Sequence, residues 1–592
     1  MTDILVEQQL PQRKQHDTRT PQGKRKLALQ RWGSMKTERA SVFAHWADIG
    51  QHLLPRAMRA FTADRDKGGR ERYSRILDNS GTRGLRVLGA GLMAGATSPA
   101  RPWFKLTTPD PDLNRFYTVQ LWLDDTTERM HRAFAKSNTY RVLHQLYEQL
   151  GAFGTAVSIV LPDFNRVIHH YPVACGQYCL QQDWQGHVNT LYREFEKTVG
   201  EVVREFGWSN CSRTVQEQWN SHNLESPVQI LHVIEPRDDM ERNQSSPTAR
   251  NMPWKSSYFE CQGDDTKMLR ESGFERFPVL APRWTVDGDD VYGTSPGMEC
   301  LGDIRQLQQE QLRKGQGIDY QTKPPLQVPT NLANRDIEGL PGGITFYEPG
   351  MLLPFDQVTP NSGIRAAFEV NLKLDHLLLD IQDVRQRIQQ SFFTDLFLML
   401  AQSGVNTRMT ATEVLERHEE KLLMLGPTLE RLHNELLQPL IDMTFDSMMA
   451  RGALLQPPPE LYGVALSVEF VSILAQAQRL VGAGGVDRYV GSALAIAKGG
   501  RPDVLDNINW DKWAHIYGKQ IGVPAEMLVD EDGVKAVREA RSQAEARRDE
   551  VMLNRETAAT QRDLAAAPTQ GKNALTDMMA GLEADQVAAD GG

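Results

Sequence analysis

Apolar positions recur with a helical period along much of this 592-residue chain. The most regular stretch begins at Thr410 and continues to the prolines at 457–459, with an apolar residue every three or four positions. Thr410 and Glu413 match a capping box, in which a hydroxyl and a carboxylate satisfy unpaired backbone N–H groups at a helix start. Gly426 and Pro427 interrupt the stretch, because proline removes a backbone donor and clashes with the preceding turn. The pattern predicts one long helix with a kink at Gly426 and Pro427.

Shorter helical and strand patterns cover most of the remaining chain. Helical spacing predicts helices at 29–54, 79–96, 118–150 with a break at 137–138, 197–206, 211–221, 298–321, 364–390 and 472–565. Short apolar, β-branched and aromatic runs predict strands at 155–161, within 167–195 around a turn at 183–186, and at 228–233, 256–261, 267–270, 279–285 and 463–470. Because helices and strands do not alternate regularly, we expect an α+β fold that is mainly α.

Two of these predicted helices, 298–321 and 364–390, are charged on much of their surface and carry only narrow apolar stripes. Between them lies a Pro- and Gly-rich insert with short extended pieces, residues 322–363. Two such helices around a small β-containing insert predict a hairpin that protrudes from the main body. Since neither helix is apolar enough for a core, we expect the hairpins of several copies to pack side by side, as in a ring.

The predicted helix at 79–96 is rich in small residues, including Gly89, Gly91 and Gly95. A dinucleotide-binding interpretation fails on context, because no strand precedes these glycines and no acidic residue follows in a βαβ unit. We expect the glycines to let another helix approach closely.

Composition and charge narrow the function classes. The formal net charge of −10 gives no global signal for tight binding to nucleic acid. Five scattered cysteines predict reduced thiols and no disulfide framework. The N-terminus lacks an apolar signal segment, and no run approaches the roughly 18 apolar residues of a membrane span. We therefore expect the cytoplasm, or a particle assembled there, no membrane contact, a disordered arm at 1–28 and a flexible tail at 566–592.

The polar residues match none of the common catalytic, cofactor or metal motifs. The sequence contains no Walker A loop, HExxH, GxSxG or EF-hand loop. The turn Asp287–Asp290 is expected to be one in which aspartates cap the backbone, and a divalent cation there is the alternative. Cys175 and Cys179 are expected to be buried small side chains, and a zinc site is the alternative. The interpretation we adopt has no catalytic residue, no cofactor-binding residue and no metal ligand.

Several segments together carry a family resemblance over roughly residues 30–480. They are Arg31-Trp32 to Trp46, Leu53-Leu-Pro55, Ile76-Leu-Asp-Asn79, Thr97-Ser-Pro-Ala-Arg-Pro-Trp103-Phe104, Tyr292-Gly-Thr-Ser-Pro296-Gly297, Lys323-Pro-Pro325, Met409-Thr-Ala-Thr-Glu413-Val, Arg417, Glu420, Gly426-Pro427, Arg431, Glu435 and Pro439-Leu-Ile. In order and spacing they resemble the head-to-tail connector, or portal, proteins of short-tailed double-stranded DNA bacteriophages. The C-terminal hundred residues contribute little to the resemblance.

The resemblance implies a ring, commonly of twelve subunits, at one vertex of the capsid in the virion. Double-stranded DNA would pass through its channel during packaging and ejection. Expected partners are other copies of the chain, terminase, major capsid and scaffolding proteins, and later tail adaptor proteins. The implied parts are a wing at 29–295, stem helices at 296–321 and 364–390, a clip at 322–363, a channel loop at 391–409, a wing with the long helix at 410–469 and a crown at 470–565.

A channel that conducts DNA needs few cations, because each phosphate contact adds salt-dependent affinity that opposes sliding. Candidates for weak contact with phosphates are Arg385, Arg387 and Arg408, and a salt bridge to a neighbouring subunit is the alternative for each. Two other functions stay open at this point. One is a different phage structural protein, such as a tail adaptor or an internal scaffold, and the other is an enzyme with an unrecognised site.

Overall fold

The computed structural model describes residues 20–60, 76–110, 112–238, 248–262, 267–322, 326–329, 353–355, 365–366, 374–402, 425–472, 474, 490–497, several positions between 501 and 513, and 531–565. The chain divides into two compact units, residues 1–481 and 482–592. The first unit combines helices with four sheets, and the second has only helices among its described residues. The predicted α+β, mainly α fold is confirmed.

Thirteen helices of the described residues are used below. They are α1 Pro21–Glu38, α2 Ala40–His52, α3 Ser80–Ala96, α4 Tyr117–Lys136, α5 Thr139–Phe153, α6 Val199–Phe206, α7 Arg213–Asn220, α8 Pro296–Glu299, α9 Leu301–Thr322, α10 Leu374–Ser391, α11 Thr394–Gln402, α12 Gln438–Ala450 and α13 Glu531–Ala565. A π-helical segment, His433–Leu437, leads directly into α12. The predicted break at 137–138 is confirmed, since Ser137 and Asn138 separate α4 from α5.

The described strands form four sheets. They are β1 Phe104–Thr107, β2 Val157–Asp163, β3 Val167–Val173, β4 Tyr178–Gln182, β5 Val188–Thr198, β6 Pro227–Pro236, β7 Trp254–Glu260, β8 Arg270–Phe274, β9 Val279–Leu280, β10 Leu326–Pro329, β11 Leu353–Phe355, β12 Arg365–Ala366 and β13 Ser467–Phe470. Strands β4 to β8 form an antiparallel meander in sequence order. The other sheets are ordered β3-β2-β9, β11-β10-β12 and β1-β13.

Helix α1 covers one face of the meander. Part of it lies within residues 1–28, which were predicted to be disordered. Thr20 caps the helix with its hydroxyl, and Pro21 occupies the first turn, where its missing N–H costs nothing. The buried Arg25 side chain donates to the backbone oxygens of Glu260 and Cys261 at 3.1 and 3.2 Å. Disorder is therefore wrong for residues 21–28, which the meander holds in place, while residues 1–19 lie outside the described part.

Helix α3 lies at the centre of the first unit and packs against α5, α10 and α11. A Cβ atom on Gly84 would lie 2.8 Å from the Phe392 ring, and one on Gly91 would lie 2.2 Å from the Phe397 ring. A Cβ on Gly89 would lie 2.9 Å from the side chain of Glu148 in α5. The prediction that these glycines admit neighbouring helices is confirmed.

Two predicted boundaries are wrong around the polar helices. Residues 365–366 form strand β12 beside β10, so the helix predicted from 364 is first seen at Leu374. Residues 394–402 form helix α11, whereas the resemblance implied a channel loop over 391–409. Leu396 and Phe397 are buried, and their packing stabilises helical structure there. The sheet β11-β10-β12 confirms the β content expected of the insert.

The second unit has little buried surface among its described residues. Val490, Ala493 and Ile508 form a small buried cluster with Trp513 beside it. The C-terminal helix α13 confirms the predicted solvated helix, because its described side chains from Lys535 onward are all exposed. None of the described helices combines the length and apolar character that crossing a membrane would require.

Candidate functional site

Helices α9 and α10 lie side by side and form the polar hairpin, the name used below for this pair. Their contact is a narrow seam of buried apolar side chains, Ile304 and Leu307 from α9 with Ile381, Val384 and Ile388 from α10. Outside the seam the two helices carry charged residues of both signs, six acidic and five basic in all. The polar hairpin is thus nearly neutral overall. Outside the buried seam it also exposes large apolar side chains, namely Leu312, Ile318 and Tyr320 of α9 and Leu378 and Leu379 of α10.

A backbone clamp joins α9 to the loop that enters α3. The Gln308 carboxamide oxygen accepts hydrogen bonds from the N–H groups of Leu77 and Asp78 at 2.7 and 2.9 Å. The Gln308 amide nitrogen donates to the Asp78 carbonyl oxygen at 2.9 Å. One glutamine therefore satisfies three backbone groups, as a neighbouring strand would, and fixes the loop on α9.

The Asp78 carboxylate lies at the centre of this junction, with its side chain only 4% exposed. It accepts from the backbone and hydroxyl of Ser80 at 2.9 and 2.6 Å, and from the Arg385 guanidinium at 2.7 and 3.0 Å. Gln311 of α9 donates to it at 3.1 Å. Burial raises the pKa of Asp78, but the hydrogen bonds from Ser80 and Arg385 outweigh burial and hold it below its usual value. The carboxylate is charged and ties α3, α9 and α10 together.

Arg385 and Arg387, the predicted channel arginines, both form ion pairs inside the chain. Arg385 pairs with Asp78, and Arg387 pairs with Asp303 at 3.2 Å and with Asp383 at 2.7 Å. Each arginine side chain is nevertheless more than two-fifths exposed, at 43% and 44%. Arg408, the third candidate, lies outside the described residues. The two described arginines stabilise the polar hairpin and still present one side to solvent.

An acidic pair lies farther along the polar hairpin. Glu310 of α9 is buried and accepts a hydrogen bond from Gln306 at 2.6 Å. Burial raises the pKa of Glu310, and the neighbouring carboxyl of Asp380 on α10 raises it further, against the Gln306 hydrogen bond. The carboxyl groups of Glu310 and Asp380, from the two helices of the hairpin, therefore lie close together. Glu310 retains its proton more readily there than an isolated glutamate does.

Close packing, as well as ion pairs, holds the polar hairpin on the rest of the first unit. A Cβ atom on Gly81 would lie 3.0 Å from the Leu53 side chain and 3.2 Å from that of Ile304. Arg305 pairs with Asp48 of α2 at 3.0 Å, although both side chains are half exposed. The hairpin base is thus held on α2 and α3 together.

The long predicted helix is described from residue 425, and it is helical to Ala450 with one irregularity. Residues His433–Leu437 form a π-helical segment in which Gln438 N–H donates to the His433 oxygen. Pro439 follows at once, and its ring would clash with the carbonyl four residues earlier in a regular helix. Thr410 and Glu413 lie outside the described residues. Gly426 and Pro427 lie in the first described turn, and the kink there stays a prediction.

The π segment carries Glu435, which meets the buried Arg283. The guanidinium donates to Oε1 of Glu435 at 2.7 Å and to Oε2 at 3.3 Å, and the Arg283 backbone N–H donates to Oε2 at 2.9 Å. Its remaining donors reach Gln182 at 2.9 Å and the Gly186 oxygen at 2.7 Å. Every side of this guanidinium is bonded, so the pair fixes the long helix on the end of the meander.

His433 is the second anchor of the π segment. Its ring stacks on Phe470 of β13, with centroids 4.0 Å apart and planes 7° from parallel. Burial lowers the pKa of His433 to about 4, so the imidazole is neutral at physiological pH. The long helix is therefore fixed on the β1-β13 sheet by an apolar stacking contact.

The described residues offer no obvious chemistry beyond these contacts. Among the positions that the structure describes, no group of three His, Cys, Asp or Glu side chains could hold a metal ion. Cys175 and Cys179 are both buried, and burial raises the pKa of each thiol, which keeps them protonated and poor as ligands. What the arrangement provides is mechanical, namely a rigid polar hairpin and a long anchored helix.

Sequence reasoning missed the three residues that organise these junctions, Asp78, Gln308 and Arg283. An aspartate two positions before Ser80 is typical of a turn at a helix start, so that pattern could have predicted the local hydrogen bond. Nothing in the sequence pairs Asp78 with Arg385, or Arg283 with Glu435, because these partners lie far apart along the chain.

Comparisons with known proteins cover nearly the whole chain. A family model described as "Bacteriophage head to tail connecting protein" matches residues 25–528. The chain is 53% identical over 557 residues to the "Probable portal protein" of Bordetella phage BPP-1, covering 94% of this chain and 98% of that protein. It is 40% identical over 550 residues to the "Portal protein" of Salmonella phage epsilon15, covering 93% and 96%. A solved chain described as "Neck of empty GTA particle computed with C6 symmetry" is 11% identical with a TM-score of 0.31, covering 78% of this chain and 94% of that chain, a likeness too weak for any inference.

Proposed function

The chain belongs to the family of bacteriophage head-to-tail connecting proteins, and we propose that its copies form the portal ring of a phage capsid. In this role double-stranded DNA passes through the centre of the ring during packaging and ejection. The observation that carries the proposal is the match to two portal proteins along almost the full length of both partners. The family is one of structural proteins of the phage particle, and the proposed role involves no catalysis.

The polar hairpin is the proposed stem of the ring. Its buried apolar side chains lie in the seam between α9 and α10, and its outer surface combines charged residues of both signs with exposed apolar side chains such as Leu312 and Leu379. Such a mixed surface suits contact with neighbouring copies. Residues 322–363, which include strands β10 and β11, form the proposed clip. Helix α11 lies within the proposed channel segment, and residues 490–565 lie in the proposed crown. The proposed wing comprises the meander, helices α1 to α7 and the long helix that ends in α12.

The charge balance of the polar hairpin suits DNA that must move. A surface with a large excess of cations would bind phosphates with strongly salt-dependent affinity and slow translocation. Here the basic side chains are matched by acidic ones, and Arg385 and Arg387 are each held by an aspartate. We propose that these two arginines make at most brief phosphate contacts through their exposed sides, and that Arg408 is a third residue that contacts phosphates briefly.

The proposed partners follow from a position at one capsid vertex. They are other copies of the chain, twelve in all as the family resemblance implies, the terminase during packaging, the major capsid and scaffolding proteins during assembly, and tail adaptor proteins afterwards. The proposed location is the virion, after assembly in the host cytoplasm.

Imaging of the purified full-length protein tests the ring. We expect negative-stain class averages to show ring-shaped top views with a central opening, and native mass spectrometry to give one high-mass species with a fixed copy number. A protein that stays monomeric at micromolar concentration in the presence of its scaffolding protein would contradict the proposal.

Deletion of residues 322–363 tests the proposed clip separately. We expect rings to persist, because the described contacts that hold the polar hairpin on α2 and α3 lie outside the deleted stretch, whereas terminase should no longer bind. Deletion of the tail at 566–592 is the control, with terminase binding kept. Terminase binding that survives loss of 322–363 would show that the clip lies elsewhere.

A further inference from the structure

Helix α13 has no packing partner along most of its length within the described chain. At 1.5 Å per residue, its span from Glu531 to Ala565 is roughly 50 Å. Apolar side chains on it are largely solvent-exposed, with Val537 at 54%, Val551 at 63% and Leu553 at 64% exposed. Helices in proteins owe most of their stability to packing of one face rather than to helix propensity. A helix of this length therefore calls for a partner.

One side of α13 carries two lines with a strict seven-residue spacing. The first is a line of small apolar residues, Val537, Ala544, Val551 and Ala558. Four positions after each of them stands an arginine, in the line Arg541, Arg548, Arg555 and Arg562. A seven-residue repeat keeps one stripe against a partner helix when the helices supercoil slightly. These two lines are called the arginine face below.

The other side of α13 carries a second pair of lines, called the acidic face. Asp549 and Glu556 are seven residues apart, and beside them Ala546 and Leu553 repeat with the same spacing. With 3.6 residues per turn, the centres of the arginine face and the acidic face lie about 150° apart around the helix. The two faces are therefore nearly opposite, unlike in composition and complementary in charge.

Some charges on these faces have no oppositely charged neighbour along the helix, although Arg541 and Arg548 each have Glu545 within four positions. The neighbours of Arg555 at three and four positions are apolar, and those of Asp549 include no cation; they are Val551, Met552, Ala558 and Ala559 for Arg555, and Glu545, Ala546, Met552 and Leu553 for Asp549. Across the residues that the structure describes, neither Arg555 nor Asp549 has an ion-pair partner. Their partners are expected outside the described residues of this chain.

We propose that α13 packs between the α13 helices of two neighbouring copies of this chain, with the arginine face of one helix on the acidic face of the next. The faces are complementary to each other but not to themselves, so the contact is head-to-tail and, if the rotation closes, generates a ring. Two-fold pairing of arginine faces would instead bring arginines opposite arginines. This inference rests on the proposed ring and names a segment that holds its copies together.

A protein partner suits the composition of α13 better than a nucleic acid does. Seven basic and eight acidic residues lie between Glu531 and Ala565, so the helix has no positive excess that would attract phosphates. A second copy supplies a matching helix of the same length and register, with both charges in the required order.

Disulfide cross-linking of the full chain tests the contact directly. Val551 lies on the arginine face and Leu553 on the acidic face, so the double variant Val551→Cys/Leu553→Cys should form a ladder of oligomers under mild oxidation. Neither single variant should form it, because like faces do not meet. The wild-type chain is the background control, since four of its cysteines are buried and Cys261 is half-buried. Dimers from Val551→Cys alone would overturn the head-to-tail arrangement.

Charge reversal tests the complementarity. Arg548→Glu/Arg555→Glu places acids against acids and should lower the ladder yield of the double-cysteine chain about tenfold. Adding Asp549→Arg/Glu556→Arg reverses both faces and should restore the yield. An unchanged yield in the first variant, or no restoration in the second, would overturn the inference. Rings without a ladder would refute this contact alone, whereas the absence of rings in the wild type would refute the proposed function.

Discussion

Helices α3 and α13 both carry small residues at seven-residue spacing, yet their surroundings are opposite. In α3, Gly84 and Gly91 are seven residues apart and are met by Phe392 and Phe397 of the same chain. In α13, Val537, Ala544, Val551 and Ala558 face solvent. The first unit also pairs its buried charges internally, as Arg283 does with Glu435, whereas Arg555 and Asp549 of α13 have no such partner among the described residues. Equal spacing thus serves contacts within a chain in one case and, as we propose, between chains in the other.

The largest expected effect contrasts a buried arginine with an exposed one. Arg283→Ala leaves the Glu435 carboxylate without its main partner in a site where the Arg283 side chain is 4% exposed, so the free energy of unfolding should fall by about 3–5 kcal/mol. Arg555→Ala is the matched control, and its effect on the unassembled chain should stay within about 0.5 kcal/mol. Urea unfolding followed by circular dichroism measures both. Equal losses of unfolding free energy in the two variants would contradict the prediction that the Arg283–Glu435 pair stabilises the fold and Arg555 does not.

A methyl group added to α3 should have the next largest effect. Gly91→Ala forces the new Cβ into the Phe397 ring, and the overpacking should exceed the gain in helix propensity and lower stability by about 2 kcal/mol. Gly33→Ala in α1 is the same change in open space, so it should raise stability by up to about 1 kcal/mol. Thermal unfolding of the two variants gives shifts of opposite sign. A stabilising Gly91→Ala would mean that α11 does not press on α3.

Acid should weaken the first unit through its buried imidazoles. The pKa of His433 is lowered to about 4 in the folded chain against 6.5 in the unfolded chain, so only the unfolded chain gains this proton between those values. His433 therefore contributes fully above pH 6.5, and its contribution is lost as the pH falls towards 4, with about 2 kcal/mol lost between pH 7 and pH 5.

His433→Phe keeps a ring on Phe470 and removes the titrating group. We expect a smaller fall in stability between pH 7 and pH 5 in this variant, measured as the urea midpoint at each pH. Some fall should remain, because burial also lowers the pKa of His170 to about 3 and holds that of His232 well below its usual value. An unchanged pH dependence would mean that His433 is not buried in solution.

Local pattern was enough to predict much of the fold. The glycines of α3, the break before α5 and the solvated character of α13 all follow from residue types at fixed spacing. Helix α11 was missed because the mixed apolar, Gly-containing residues 392–406 predicted only a connection, and the resemblance likewise implied a loop there. Burial of Leu396 and Phe397 against other parts of the chain stabilises the helix, and such packing is not visible in a short local pattern.

The organising contacts of the candidate site could not be predicted in the same way. Asp78 is joined to Arg385 across more than three hundred residues, and neither belongs to a periodic pattern that would select the other. Arg283 and Glu435 are likewise separated by 152 positions. A single sequence contains no pattern that links residues so far apart along the chain. Only the folded chain therefore shows that Arg385 and Arg387, the proposed channel arginines, form ion pairs with aspartates.

The π-helical segment in the long helix has a consequence for its two halves. Buried residues are Leu425, Leu429 and Leu432 before the segment, Leu436 and Leu437 within it, and Leu440, Ile441, Thr444 and Met448 after it. The apolar phase therefore advances by one residue at Leu436-Leu437, which is a rotation of about 100°. Deleting one residue there would restore a regular helix and turn Asp442 and Asp446 away from Arg276, which they now meet at 3.6 and 2.6 Å. The extra residue in the π-helical segment thus lets the two halves of one continuous helix bury apolar faces that point in different directions.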